Sequence, residues 1–359
     1  MEWYIGMDVH SKACVYAVQD KEGVLIGEGR VETSYEGMEG IRDRHRLAAG
    51  TQVAIESGEM SFLVAKWLLR LELEPVVVDA REVRMKAYRP NQKSDRRDAI
   101  ELCEGLRCRQ YRSIVHVPPR EIQQLRSLLS RRRHFVRIKT REVNAAKHVI
   151  RTEGLGHLVG PLATEKSWEQ LHGRLDFAPD LQELVLCHRE TWLAAHFQMC
   201  RLENAIDELQ QTHFAEPIKR LQQVLGVGPI VALTVVAAIS DAHRFPTAKH
   251  VASYAGLVPR TYQSGERDYQ GHITKKGSSE LRAMLCEAAH HAARSDHRFQ
   301  PFFAKVAARH GYKSAIVAVA YRILRVMWAM LRTGGRLRFR SARNRGGTLR
   351  EGGQEEVPG

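Results

Sequence analysis

Residues 3–33 read WYIGMDVHSKACVYAVQDKEGVLIGEGRVET, and their pattern decides the fold of the first third of the chain. Three β-rich segments, WYIGMDV, ACVYAVQD and VLIGEGRVET, are divided by turns at SK and KEG, short enough to join antiparallel neighbours. A helical pattern runs from Tyr35 to Ala48. It is followed by a short strand, TQVAIES, a helix from about Met60 to Leu71, and the strand PVVVDA.

Three antiparallel strands followed by αβαβ is the order of a ribonuclease-H-like domain, an order that other mixed α/β folds share. The acids fall where such a sheet converges on a crevice. Asp8 and Glu56 each sit at the C-terminal end of a strand. In KSDRRDAIELCEGL, Asp95 and Asp98 stand three apart at the start of a helix, so they share a face near its N-terminus. Taken singly, Asp8 reads equally as a turn or cap residue, and Asp95 with Asp98 as a pair favoured by the helix dipole. Four carboxylates gathered in one crevice repel each other unless a cation lies between them, and hard oxygen donors suit Mg²⁺ or Mn²⁺. Such an ion polarises a phosphodiester and stabilises charge on the leaving oxygen.

Composition names the partner class. The 359 residues are enough for two or three domains, and 55 Lys and Arg against 41 Asp and Glu leave +14 at neutral pH. The charge is local: residues 81–147 hold 19 Lys and Arg against 7 acids, and residues 332–350 hold seven Arg and no acid. Two such blocks point to phosphate backbones, with Arg96, Arg97, Arg131, Arg132 and Arg133 as candidate contacts. The six cysteines show no CxxC pair or zinc spacing and read as reduced thiols, which implies cytoplasm. Asp8 interrupts the first apolar run, so no signal peptide is expected. Arg322 and Arg325 interrupt the apolar segment from Ala315, which reads as a core helix with no membrane partner.

The middle of the chain is helical. Ile122, Leu129, Val136, Val143 and Ile150 recur every seven residues, and Trp192, Ala195, Met199, Leu202, Ile206 and Leu209 alternate steps of three and four. The link EGLGHLVGPLA lets the two helices return antiparallel as a hairpin able to pair with another protomer. Arg132 and Lys139 take inner positions, leaving the seam incomplete and open to RNA or a neighbouring chain.

Together GMDVHSK, AIESG and KSDRRDA resemble the Asp-Glu-Asp-Asp transposases of the insertion-sequence 110 family, with the flavour of its 1111 subgroup. Many relatives carry Glu-Ala-Thr-Gly where this chain has Glu56-Ser57-Gly58. A second signal agrees. LQQVLGVGPIVALTVVAAI, residues 221–239, has a Gly226-Val227-Gly228 turn of helix-hairpin-helix type, whose amides can meet a phosphate. Residues 245–289 are similar to the family's second conserved region.

The resemblance implies a RuvC-like catalytic domain over 1–112, a helical coiled-coil segment over 113–215, an all-α transposase domain over 216–332 and a basic, then Gly-rich tail over 333–359. It implies that Ser264, in Tyr-x-Ser-Gly, is the nucleophile; Ser278 and Ser279 read instead as a helix N-cap. Arg260, Arg267, Lys275, Lys276 and Arg282 would supply cationic contacts. The implied activity is DNA transposition through a 5′-phosphoserine link, assisted by Mg²⁺ and directed by a structured RNA that the element encodes. The expected partners are element ends and target DNA, that guide RNA, and further copies of the chain as a dimer or tetramer, in the bacterial cytoplasm at the nucleoid. Two alternatives stay open. One is a metal-dependent junction nuclease without serine chemistry. The other is an actin-like or sugar-kinase-like phosphotransferase, disfavoured because Val9-His10-Ser11 replaces the glycine that a phosphate loop wants after its aspartate.

Overall fold

The computed structural model describes residues 2–86, 94–264 and 267–335, with backbone alone over 261–264 and 267–270. The chain divides into two compact units, Met1–Pro118 and Pro119–Gly359.

The first unit is a mixed sheet with helices on both faces. Strands β1 (Tyr4–Val9), β2 (Ala13–Gln19) and β3 (Leu25–Glu32) form the antiparallel part. Helices α1 (Tyr35–His45) and α2 (Ser61–Arg70) alternate with β4 (Gln52–Glu56) and β5 (Glu74–Val78). The sheet order is β3-β2-β1-β4-β5, with β1-β4 and β4-β5 parallel. The order of elements along the chain, three antiparallel strands followed by αβαβ, is the one expected from the sequence. α1 ends earlier than its apolar pattern, at Arg46 in the left-handed region (φ 49°). Two further helices, α3 (Ala80–Lys86) and α4 (Asp95–Arg107), complete the unit. The main core packs Ile5, Met7, Val53 and Ile55 against Met38 and Ile41 of α1 and Val64, Ala65 and Leu68 of α2. On the opposite face Ala54 packs with Leu102 and Leu106 of α4. The unit runs past residue 112 because the chain returns to the sheet: the Val115 amide donates to Val77 at 2.7 Å, and Val115 and Val117 pack on the main core.

The second unit opens with α5 (Arg120–Thr152), α6 (Glu165–Gly173) and α7 (Pro179–Leu209). After a π-helical turn at Gln210–Phe214 come α8 (Ala215–Leu221), α9 (Pro229–Ile239) and α10 (Ala248–Tyr254). Strands β6 (Pro259–Ser264) and β7 (Arg267–Ile273), then α11 (Ser279–Ser295) and α12 (Gln300–Thr333), complete it. α5 and α7 form the expected hairpin, and its inner polar positions are filled from within. Arg132 meets Glu203 at 2.6 Å; the Lys139 ammonium lies 3.0 Å from the His196 ring and 4.7 Å from the centre of the Trp192 ring. The hairpin tip has its own core, in which α6 buries Trp168 beside Trp192. Its other end shares one core with the rest of the unit, since Ile122, Leu125, Leu129, Ile206 and Leu209 pack with residues of α8 to α12.

This region is mostly helical, which corrects the all-α expectation. β6 and β7 pair antiparallel, Tyr262 opposite Tyr269, where the expectation is a Gly-containing loop; the aromatic and β-branched residues of this stretch suit a two-stranded ribbon. α9 is apolar all round and correspondingly buried. α12 is long and apolar enough to cross a membrane by length and composition. Ala315, Ile316, Val319, Ala320, Ile323, Leu324 and Met327 of its second half are buried in the unit's core.

Candidate active site

Strand alternation and one close helix approach build the site. Ile5 and Met7 enter the core beneath α1 and α2, so Gly6 and Asp8 face the side that α4 covers. On β4, Ile55 enters that same core while Ala54 packs under α4, which puts Glu56 on the α4 face too. Met7 is registered with Ile55 in the parallel pair, so Asp8 and Glu56 take the next positions at adjacent strand ends.

Gly6 lets α4 lie directly on β1. A Cβ there would sit 2.1 Å from the Ala99 carbonyl oxygen and 2.3 Å from the Cys103 amide nitrogen, contacts no side chain could make. The Cys103 thiol donates to the Tyr4 carbonyl at 3.0 Å. Higher-numbered α4 residues therefore meet lower-numbered β1 residues, and the helix runs antiparallel to the strand. Its N-terminus, capped by the Ser94 hydroxyl accepting from the Arg97 amide, thus arrives at the strand end that carries Asp8.

The structure brings three donors together there. His10 Nε2 lies 3.1 Å from Asp8 Oδ2 and 3.5 Å from Asp95 Oδ2, and one ligand atom from each residue falls within 4.8 Å of the others. Glu56 and Asp98 lie outside this trio. His10 was not among the residues singled out from sequence. Its signal was the spacing: two residues beyond Asp8, it falls on the same face of an extended chain. Its backbone is held by its amide donating to Ala13 O at 3.2 Å and by Thr33 Oγ1 donating to its carbonyl at 2.7 Å. The Asp8 side chain is 14% exposed against 50% for His10 and 52% for Asp95, so the cluster has a buried floor and an open rim that a large substrate can reach.

Two carboxylates and an imidazole at this spacing fit a divalent ion. The carboxylates suit Mg²⁺ or Mn²⁺, and the imidazole shifts the preference toward Mn²⁺. The nearby thiols do not compete. Burial raises Cys14 above the usual thiol range and pushes Cys103 up to about 12, keeping both protonated. All six cysteines are free thiols.

The candidate cations divide by their partners. Arg96 pairs with Glu28 at 2.8 Å, Arg132 with Glu203, and Arg133 with Glu280 at 3.6 Å, while the exposed Arg131 lies 5.0 Å from the Phe135 ring centre. The Arg282 guanidinium donates to the carbonyls of Ala255, Lys276 and Gly277, clamping the base of the β6–β7 hairpin. Arg97 lies in the first turn of α4, two residues beyond Asp95. Arg260 and Lys276 are exposed, as is Lys275, which has a left-handed backbone (φ 55°). Gly226 takes φ 86° and lets α11 approach, since a Cβ would lie 2.6 Å from the Ala288 carbonyl; Gly228 caps α9 with open space around its Cα. Ser264 ends β6, its backbone paired with Arg267 beside the hairpin tip. Ser278 does cap α11, accepting from the Leu281 amide at 3.2 Å.

Residues 5–152 match the DEDD transposase model of IS110 elements, and residues 218–304 match the transposase family IS116/IS110/IS902. The first span carries the acidic cluster and the second carries Ser264. A probable family 20 transposase of Pseudomonas aeruginosa is 30% identical over 258 residues, 69% of this chain and 74% of that protein. The transposase of insertion sequence element IS1111A from Coxiella burnetii is 26% identical over 69% of each chain. The pilin gene-inverting protein of Moraxella bovis is 35% identical over 117 residues, 31% of this chain and 36% of that one. Sheet and matches define the class, a DEDD transposase whose nuclease-like domain suits a divalent metal. The chain belongs to the IS110 transposase family, whose members bind DNA and cut and transfer its strands.

Proposed function

We propose that this chain is the recombinase of a bacterial insertion sequence, cutting and rejoining DNA through a 5′-phosphoserine at Ser264. Asp8, Glu56, Asp95 and Asp98 hold Mg²⁺ or Mn²⁺, with His10 as a further ligand. The observation that carries this reading is the convergence of Asp8, His10 and Asp95 at the end of a nuclease-like sheet, in a chain whose second matched region carries the serine.

The Ser264 hydroxyl attacks phosphorus and the bond to the 3′-oxygen breaks, the serine proton passing overall to that leaving oxygen. The serine phosphodiester conserves the bond energy, so a 3′-hydroxyl from another end can displace Ser264 and reseal the strand without an external energy source. A bound divalent ion would neutralise the phosphoryl oxygens. Exposed cations such as Arg131, Arg260, Lys275 and Lys276, together with Arg97, Arg267 and the Gly226–Gly228 turn, grip the backbone. The element's structured RNA supplies sequence choice by base pairing. A dimer or tetramer lets the serine of one protomer serve the acids of another, in the cytoplasm at the nucleoid.

The junction-nuclease alternative needs the acids but no serine. A relative named for inverting a gene favours the recombinase, since inversion requires rejoining and hydrolysis cannot rejoin. Denaturing electrophoresis of end-labelled DNA separates the two. Wild type should yield a covalent protein–DNA adduct and Ser264→Ala none. Cleavage by Ser264→Ala at the wild-type rate, leaving a free 5′-phosphate, would hand the reaction to water. Ribonuclease treatment should abolish site-specific DNA binding; specificity that survives it would point to protein readout of the ends.

A further inference from the structure

The second unit holds a cavity of about 700 Å³, lined by no residue of the acidic cluster or of the serine hairpin. Arg322, Arg325, Val326 and Ala329, on the part of α12 beyond its bend at Gly311, form one wall; Arg298 and Phe299, from the turn before that helix, form another. Among the described residues that line it there are three guanidinium groups and no acid.

The charges are positioned. Asp296, 1% exposed, holds Arg298 through two side-chain hydrogen bonds of 2.7 and 2.5 Å. The Arg322 guanidinium lies 3.2 Å from the centre of the Phe302 ring, which holds it in place by a cation–π contact. The rest of the lining is apolar apart from the Thr333 hydroxyl and the Trp328 ring nitrogen. Trp328 spends its only donor on the Ala242 carbonyl at 3.0 Å, so the small part of its indole left exposed offers no hydrogen bond. A site of this size, with an apolar wall, a guanidinium plane and several cations, suits a ligand with a flat aromatic part and an anionic part, and ligand pockets span roughly 300–1,000 Å³.

We propose that this cavity takes one unpaired nucleotide of a nucleic-acid strand, its base against the α12 wall and its phosphate on Arg322 and Arg325. Bases locked in a duplex cannot enter, whereas unstacked bases settle readily on aromatic and guanidinium planes. The inference rests on the nucleic-acid reading of the whole chain and names a second, single-strand-selective site within it. The strand can be RNA or DNA, since the base and phosphate that the cavity reads are common to both.

Fluorescence anisotropy on the full chain tests it, with labelled single strands of about 12 nucleotides, one ribo and one deoxyribo, and a duplex of the same sequence. Ala329→Trp fills the cavity while keeping every charge, and should weaken single-strand binding about tenfold or more, roughly the effect of losing one stacked base. Loss on the ribo strand alone assigns the site to RNA, and loss on the deoxy strand alone to DNA. Binding of both strands within twofold of wild type by a variant with a wild-type melting curve overturns the proposal. Arg325→Gln, at an exposed position, is the second reading: a larger loss on single strand than on duplex supports the site, and equal losses reduce it to general electrostatics. Wild type that binds none of the probes would instead sink the nucleic-acid reading itself.

Discussion

At the scale of single residues, His10 changes what the acidic cluster can do. It stands between Asp8 and Asp95, so its loss should weaken Mn²⁺ binding by about tenfold or more and Mg²⁺ binding less, because imidazole contributes more to the softer ion. Mn²⁺ titration of His10→Ala followed by paramagnetic resonance checks this, and an unchanged affinity would leave a site of carboxylates alone. Asp8→Asn should abolish strand cleavage in either metal with little change in melting temperature. Glu82 supports the same unit by a different route. Its carboxylate takes Lys86 Nζ at 2.6 Å and the amides of Arg112 and Ser113 at 3.0 and 2.5 Å, tying α3 to the segment that returns to β5. The Lys86 hydrogen bond, with those amides, outweighs burial and holds the group at about 2, below its ordinary 4.5. A carboxylate depressed on folding contributes stability that is full above the unfolded value and is lost as pH falls through the folded one. The stability gap between wild type and Glu82→Gln should therefore be widest near neutrality and shrink between pH 4.5 and 2. Urea melts across that range measure it, and a constant gap would exclude the linkage.

At the scale of elements, the site depends on how closely α4 lies on β1. Gly6→Ala puts a methyl into the backbone of Ala99 and Cys103, so the helix must move as a body, and overpacking of this kind costs about 1–3 kcal/mol. Because α4 carries Asp95, the variant should lose metal affinity as well as stability, although Gly6 touches no metal ligand. Retained Mn²⁺ affinity in a destabilised Gly6→Ala protein would show that the crevice tolerates the shift. The α5–α7 hairpin holds its polar seam for itself: Glu142, buried, accepts from His188 at 2.8 Å and from Arg141. Burial pushes Glu142 up, yet those two hydrogen bonds bring it below the usual carboxylate range. The seam that looked open in sequence is closed by Glu203, His196 and Trp192 of the returning helix. The hairpin tip rests on Trp168, and Trp168→Ala should cost about 3–5 kcal/mol in chemical denaturation.

At the scale of the whole molecule, the net charge of +14 makes binding to nucleic acid a matter of counterion release. If six to ten phosphates are contacted, affinity should fall about 10³–10⁵-fold between 50 and 200 mM salt, and a filter-binding series reads the slope directly. A flat series would remove phosphate contacts as the source of affinity. Part of the charge is already committed within the chain, since Arg96, Arg132, Arg133 and Arg282 hold carboxylates or carbonyls, so the slope should report fewer contacts than a count of basic residues suggests.

The amino-acid pattern alone carries the order of elements from β1 to β5, the placing of Asp8 and Glu56 at strand ends, the start of α4 at Asp95 and the helical hairpin. Each of these is written in local periodicity, which needs no knowledge of distant neighbours. Folding adds that α4 runs antiparallel to β1 over Gly6, that His10 completes a trio with Asp8 and Asp95, that Lys139 lies over Trp192, and that a β-hairpin carries Ser264. The first three depend on groups from different elements meeting within contact distance, and the last on cross-strand pairing over a stretch too short for periodicity to mark. Whether a basic side chain serves a ligand or a neighbouring carboxylate is set by which partner the fold brings within reach.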